Sequence, residues 1–295
     1  MRRQLVLTIE SMMAEDERLV LLLGDIGVFG FRKAFALFPK RVYNIGILEQ
    51  ATLSMAAGLA AEGFIPVFHS IAPFAVERAY EQIKIDFGYQ KLNGVIISVG
   101  ASYDYAALGC THQCPGDVAI LKAIPGMRIV VPGCASEFDE LFRQAYQGDQ
   151  PIYFRLAEQT HSLSISVTFG QAKVVREGKL GTVVVVGPLL DMALKACRDM
   201  DVTVIYYTTL EPFDRSTLYA NSKSDRIAIV EPFYEGTLCH EVVSALGDSR
   251  SVRVLPIGVP RQFRRSYGTV HQQDADCGLT VEALEDRFER FFRVG

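Results

Sequence analysis

Arg41-Val42-Tyr43-Asn44-Ile45-Gly46-Ile47-Leu48-Glu49-Gln50, running on through Ala51–Gly63, reads as a strand, a turn and a helix. Val42–Ile45 has the composition of a short strand, and Gly46 punctuates it. From Ile47 the chain takes helical spacing at Leu48, Thr52, Met55 and Leu59, with Gly63 as the stop. Glu49 therefore sits in the first turn of an otherwise apolar, alanine-rich helix. A buried carboxylate is costly unless something pairs with it, so Glu49 either has a partner or does chemistry. The simpler alternative is an acid placed early in a helix to suit the macrodipole.

Composition narrows the classes. The chain has 295 residues, of which 49% are hydrophobic, and its mean hydropathy is +0.17. These are values for a well-cored globular protein with room for two domains. The formal net charge is -4 and no basic patch stands out, which argues against a nucleic-acid partner. The 6 cysteines form no C-x-x-C pair and no zinc-like cluster; reduced thiols in the cytoplasm are the simplest reading. Met1-Arg2-Arg3 opens like a signal sequence. Glu10, Glu15, Asp16 and Glu17 interrupt the segment after it, so an amphipathic helix is expected there. No apolar run is long enough to span a membrane.

Around the opening stretch, strands and helices alternate. Strands are expected at Leu19–Leu23, Pro66–Ile71, Val95–Gly100, Met127–Val131 and Ile152–Leu156. Helices are expected at Arg3–Ala14, from Pro73 to about Phe87, near Val118–Ala123 and around Ala135–Tyr146, with Arg32–Phe38 a short helix or loop. Ala101–Pro115 has no clear period and reads as a long loop, a length usually tied to function. The rhythm resumes with strands at Thr182–Val186, Val202–Tyr207, Arg226–Val230 and Val252–Ile257. Helices are expected near Met192–Arg198, Ser216–Ala220, Thr237–Leu246 and Val281–Phe292. This predicts two doubly wound α/β domains with mainly parallel sheets: residues 1–160 and 179–295, joined by a polar, irregular linker at 161–178. No Gly-x-Gly-x-x-Gly comes after a first strand in either half, so a dinucleotide fingerprint is missing.

An ordered set of motifs then carries a resemblance. It comprises Arg41 with Gly46-Ile47-Leu48-Glu49-Gln50 and Ala57–Gly63; Pro66 with Phe74 and Arg78-Ala79-Tyr80-Glu81-Gln82-Ile83; Gly109-Cys110-Thr111-His112-Gln113; and Pro125-Gly126-Met127 leading to Val130-Val131-Pro132. Together these resemble the pyrimidine-binding domain of the transketolase family of thiamine-diphosphate enzymes. The second half, closing with Gly258–Phe263 and Gly278-Leu279-Thr280, resembles that family's C-terminal domain. The family's diphosphate-binding domain carries a Gly-Asp-Gly motif, and Gly24-Asp25-Ile26, Gly148-Asp149-Gln150 and Gly247-Asp248-Ser249 each fail it at the third position. The resemblance thus implies one subunit of a split transketolase. A separate partner chain would supply the diphosphate- and Mg²⁺-binding half, in an α2β2 heterotetramer.

The resemblance also implies roles. Glu49 matches the carboxylate that hydrogen-bonds the cofactor's pyrimidine, and Phe74 matches the aromatic that stacks on it; the plain alternative for Phe74 is a core residue. Arg78, Ile71 and Asp25 fall on the cofactor side, Ile71 where many relatives place a second aromatic. His112 matches a histidine that meets the substrate's oxygens. Arg155 matches an arginine for the sugar phosphate, against the alternative of a strand-end arginine paired with a nearby carboxylate. Arg2 or Arg3 matches another phosphate-side arginine. His69, His161, His240 and His271 carry no such support and are expected to be structural or surface residues.

Departures bear on the substrate. Leu108 stands on the substrate side where relatives acting on sugar phosphates carry an aspartate, and Gly100 stands near a second histidine position. Losing polar partners changes what a site accepts, so the donor is left open: a less hydroxylated ketose, an unphosphorylated one or an α-keto acid. Three competing readings stand beside this one. They are the beta subunit of a 2-oxo acid dehydrogenase, a non-catalytic transketolase-like scaffold, and a free-standing α/β nucleotide-binding domain.

Overall fold

A computed structural model describes residues 1–247 and 251–293; Asp248-Ser249 of the last Gly-Asp step lies outside the described residues. The first half forms strands β1 (Leu19–Leu23), β2 (Val42–Asn44), β3 (Ile65–Ile71), β4 (Val95–Val99), β5 (Arg128–Val130) and β6 (Ile152–Arg155). The second half forms β7 (Lys173–Arg176), β8 (Thr182–Val186), β9 (Thr203–Tyr207), β10 (Thr209–Glu211), β11 (Arg226–Tyr234) and β12 (Arg253–Val259). The first sheet runs β10-β5-β6-β4-β3-β1-β2 and the second β12-β11-β8-β9-β7. Pairing within each is parallel except at one edge, where β10 meets β5 and β7 meets β9 antiparallel. The doubly wound α/β reading therefore holds. The central strands are buried along their whole length, as sheets covered on both faces must be.

Two features depart from the sequence reading. β7 lies inside the segment left as linker and becomes an edge strand; short polar strands of this kind carry little periodic signal. β10, from the second half, leaves its own domain and extends the first sheet, so the two domains are stitched by a ladder as well as by a shared apolar core. A further helix, Val270–Cys277, also went unread, although Thr269 and Gln272 form a capping box at its start.

The N-terminal helices are α1 (Arg2–Glu15), α2 (Arg32–Leu37) and α3 (Glu49–Ala61). On α3 the face turned inward is Glu49, Thr52, Leu53, Ala56 and Ala57. Leu48 and Met55, which the spacing places on an apolar face, are exposed, as is Ile47. Small residues let the helix lie close on the sheet and leave the bulky ones outside. The stretch from Pro73 is not one helix: wide turns at Pro73–Glu77 and Ile83–Tyr89 flank a single α turn at Tyr80–Gln82. Widened turns of this kind recur beside functional sites.

Strand order reverses at β1, which has β2 on one side and β3 on the other. Ligands of such sheets bind at the carboxyl ends of the strands near such a reversal. A mainly apolar cavity of about 370 Å³ opens there, lined by Arg2, Ile26, Gly27, Phe31, His69 and Val99 among others.

Candidate functional site

Glu49, the first residue of α3, is 1% exposed. Its Oε2 accepts a 2.9 Å hydrogen bond from Arg78 Nη1. Its Oε1 is buried with no hydrogen-bond partner among the described residues. Leaving such an atom unpaired costs on the order of 1–3 kcal/mol or more, which marks a place built to receive a donor.

The neighbours of this carboxylate form a continuous line. The Arg78 guanidinium also lies 4.1 Å over the Phe74 ring. The Phe74 ring meets the His112 ring edge-on with centroids 5.3 Å apart. Tyr105 stands 6.5 Å beyond His112, and Arg2 lies 5.2 Å over Tyr105. His112 Nδ1 is bonded to Thr111 Oγ1 at 2.9 Å, while its Nε2 makes no hydrogen bond among the described residues. Glu49, Phe74, Arg78 and His112, 63 positions apart in sequence at the extremes, are thus assembled into one site.

The remaining expected residues distribute around it. Ile71 ends β3, buried, with its Cγ2 3.1 Å from where a Cβ on Gly100 would stand. Gly100 itself has φ +76°, and a side chain there would run into the Tyr105 ring. Tyr105 thus takes the volume in which a histidine at this position would have to fit. The sequence reading missed this tyrosine; its only signal is an aromatic inside an unperiodic loop. Asp25 lies at the carboxyl end of β1, where Asn44 bonds both its backbone N–H and its side chain. Leu108 is exposed in a short turn three residues after Tyr105.

Arg155 requires a correction. As a phosphate ligand it would have to present its guanidinium to the site. Instead it is 1% exposed at the end of β6. Its Nε donates to Asp117 Oδ2 at 2.8 Å, its Nη2 donates to Ser102 Oγ at 2.7 Å, and the group lies 5.6 Å from the Phe233 ring centroid. Tyr153 donates to the same Asp117 oxygen at 2.7 Å. The alternative reading, a strand-end arginine paired with a carboxylate, is the one observed. The partner was not legible because Asp117 is distant in sequence and on another element.

The other histidines are structural or exposed. His69 is buried on β3, with Nδ1 3.0 Å from the Ile97 carbonyl; burial holds its pKa down at about 4, so it is neutral. His161 Nε2 lies 3.0 Å from Glu137 Oε1, while Tyr206 donates to Glu137 Oε2 at 2.6 Å. With Cys134 these groups are close enough to hold an ion. Both Glu137 oxygens are already bonded, however, so the cluster works as a hydrogen-bonded bridge between the domains. His240 and His271 are exposed.

Chemically, the line from Glu49 to His112 offers an unpartnered buried carboxylate oxygen, an aromatic ring and an imidazole nitrogen open to a ligand. That set fits a flat heteroaromatic ring carrying a protonated nitrogen, as a pyrimidine bonded to Glu49 would be, with a polar substrate beyond it. The residues present therefore fit thiamine diphosphate's pyrimidine.

Comparison with known proteins agrees. The family model described as "Transketolase, pyrimidine binding domain" matches residues 1–162, and "Transketolase, C-terminal domain" matches residues 170–284. The chain is 36% identical over 288 residues to a protein of Rhodococcoides fascians described as "Uncharacterized 33.6 kDa protein in fasciation locus", covering 96% of this chain and 92% of the relative. It is 29% identical over 285 residues to "6-deoxy-6-sulfo-D-fructose transketolase subunit SqwH" of Clostridium sp. (strain MSTE9), covering 92% and 87%. A solved structure described as "Split gene transketolase, inactive beta4 tetramer" superposes with a TM-score of 0.87 at 26% identity, covering 99% of this chain and 98% of the other. Ordered motifs and a doubly wound pair of domains agree with these matches, and the chain belongs to the transketolase family, of which it carries the pyrimidine-binding and C-terminal domains.

Proposed function

We propose that this chain is one subunit of a two-component, thiamine-diphosphate-dependent, transketolase-like enzyme that moves a two-carbon ketol unit from a ketose to an aldehyde. The observation that carries the reading is the buried, unpartnered Oε1 of Glu49, whose other oxygen is held by Arg78 over the Phe74 ring, with His112 on that ring's edge. When bound, the cofactor supplies the carbon that takes over the transferred unit. Glu49 Oε1 accepts the hydrogen bond of its pyrimidine nitrogen. Phe74 stacks on the ring, and Arg78, Ile71 and Asp25 bound that side of the pocket. His112 Nε2 faces the substrate's hydroxyl or carbonyl oxygen, where it holds or moves a proton; Leu108 borders the substrate side.

The diphosphate and Mg²⁺ half is assigned to a separate partner subunit in an α2β2 assembly. Supporting this, the relatives include proteins named as transketolase subunits and a split-gene chain of matching extent. Exposed Ile47 and Leu48, just before α3, and Met55 on it give an apolar surface for such a partner. The cysteines are free, which supports a reducing, cytoplasmic setting; among the described residues no helix is long and apolar enough to cross a membrane.

Calorimetry with thiamine diphosphate and Mg²⁺ tests the reading, first on this chain alone and then on its mixture with the candidate partner. Binding in the mixture only is expected. Tight binding by the single chain would overturn the half-site assignment, and no binding in either would favour the scaffold reading.

A further inference from the structure

We infer that the C-terminal domain acts as the positioning element for the loop that carries His112, with Tyr103, Asp274 and Tyr267 as its positioning residues. The inference rests on the functional reading above only for the part His112 plays in turnover.

Residues 101–116 leave the first sheet after β4 and return before the helix at Asp117–Leu121. A loop this long has many conformations to lose, and an imidazole on it is useful only if its place is fixed. Some restraint comes from its own domain: Ser102 bridges to Cys114, and Asp104 accepts the backbone N–H groups of Ala101 and Glu158.

Further restraints come from the second domain. Near the loop's start, the Tyr103 hydroxyl donates to Asp274 Oδ1 at 2.6 Å, a buried bond across 171 positions. Beside it the Ser102 hydroxyl donates to the Pro232 carbonyl at 2.5 Å. At the loop's end, the Tyr234 N–H donates to the Pro115 carbonyl at 2.9 Å. In the middle, Gly109 has φ +76°, and a Cβ on it would stand 2.7 Å from Tyr267 Cε1. The ring of Tyr267 therefore lies directly on the turn from which Cys110-Thr111-His112 departs. His112's own backbone N–H donates to the Gly109 carbonyl at 3.0 Å, so the place of Gly109 sets the place of His112.

Tyr267 is 67% exposed. Its ring adds little to the core, and its removal leaves the fold intact while releasing the Gly109 turn. Tyr103→Phe keeps the packed ring and removes only the hydroxyl; Asp274→Asn keeps an acceptor at Oδ1 and serves as the conservative control. A misplaced catalytic group costs on the order of tenfold to hundredfold in rate.

The test has two readouts. In the single chain, amide hydrogen exchange is followed through residues 106–113. In the two-subunit complex, kcat, KM and thiamine-diphosphate affinity are measured. For Tyr267→Ala and Tyr103→Phe the expected result is exchange faster by about tenfold in that segment alone. It is accompanied by a fall in kcat with cofactor affinity unchanged, and Asp274→Asn stays near the wild type. Loop exchange and kcat equal to the wild type in Tyr267→Ala and Tyr103→Phe would overturn the inference. So would cofactor affinity falling in step with kcat, since that reports a general loss of structure. A wild-type complex that neither binds cofactor nor turns over a ketose would sink the functional reading instead, and loop exchange would still decide the clamp.

Discussion

Arg78 holds Glu49 by one carboxylate oxygen, at 2.9 Å, and leaves the other buried and unpartnered. The pairing compensates much of the cost of burying an acid while keeping one acceptor for a ligand. A glutamate placed only for the helix macrodipole would be expected near solvent; this one is enclosed and half-used.

That geometry predicts the outcome of Glu49→Gln. The amide is nearly the same size and retains one acceptor, so the fold and melting temperature stay close to the wild type. Turnover by the two-subunit complex is expected to drop by roughly 10²–10⁴-fold, the range for losing a group that takes part in proton transfer. Turnover within a few-fold of the wild type would remove Glu49 from the mechanism.

Phe74 offers a ring face and little else. Phe74→Leu preserves apolar volume and removes stacking, which contributes about 0.5–1.5 kcal/mol beyond burial. Thiamine-diphosphate affinity of the complex is expected to weaken several-fold with little change in melting temperature. A large loss of stability with unchanged affinity would make Phe74 a core residue only.

Arg155 is expected to behave as a structural residue. Arg155→Met takes the charged partner from Asp117, leaving it only the Tyr153 hydroxyl, and breaking a buried ion pair in this way costs about 3–5 kcal/mol. Denaturant unfolding reads the loss directly. The double variant Arg155→Met with Asp117→Asn should recover part of it. A raised KM for a phosphorylated donor at unchanged stability would instead restore the phosphate-binding role.

Asp104 makes stability depend on pH. Burial pushes its carboxyl up to about 7, against about 4 in the unfolded chain. The folded state therefore binds the proton more tightly, so this contribution is complete below about pH 4 and is lost as pH rises through about 7. His69 runs the other way: held at about 4 in the fold, it contributes above about pH 6.5 and loses that contribution as pH falls through about 4. The difference between wild type and Asp104→Asn isolates the first effect, because the amide keeps an acceptor for Ala101 and Glu158. Melting temperatures between about pH 4 and about pH 7 should show the variant gaining on the wild type as pH rises. Parallel curves would contradict the assignment.

The sequence by itself determined the alternation of elements and therefore the pair of α/β domains, because burial on both faces makes strands such as Val95–Val99 and Thr182–Val186 uniformly apolar. It also made Glu49 stand out as a carboxylate in an alanine-rich helix, and the family resemblance carried by the ordered motifs assigned Phe74 and His112 to the same site. Only the tertiary structure decided who pairs with whom. Arg155 could meet either a phosphate or a carboxylate until Asp117 was brought to it. Leu48 and Met55 had the spacing of a core face until the small residues of α3 took the sheet and left them outside. Tyr267 and Asp274 carried no signal, and Tyr105 only that of an aromatic inside an unperiodic loop, because their roles come from contacts across loops and domains. Local propensity and periodicity report what each segment buries; which groups meet is settled by chain crossings that no window of sequence contains.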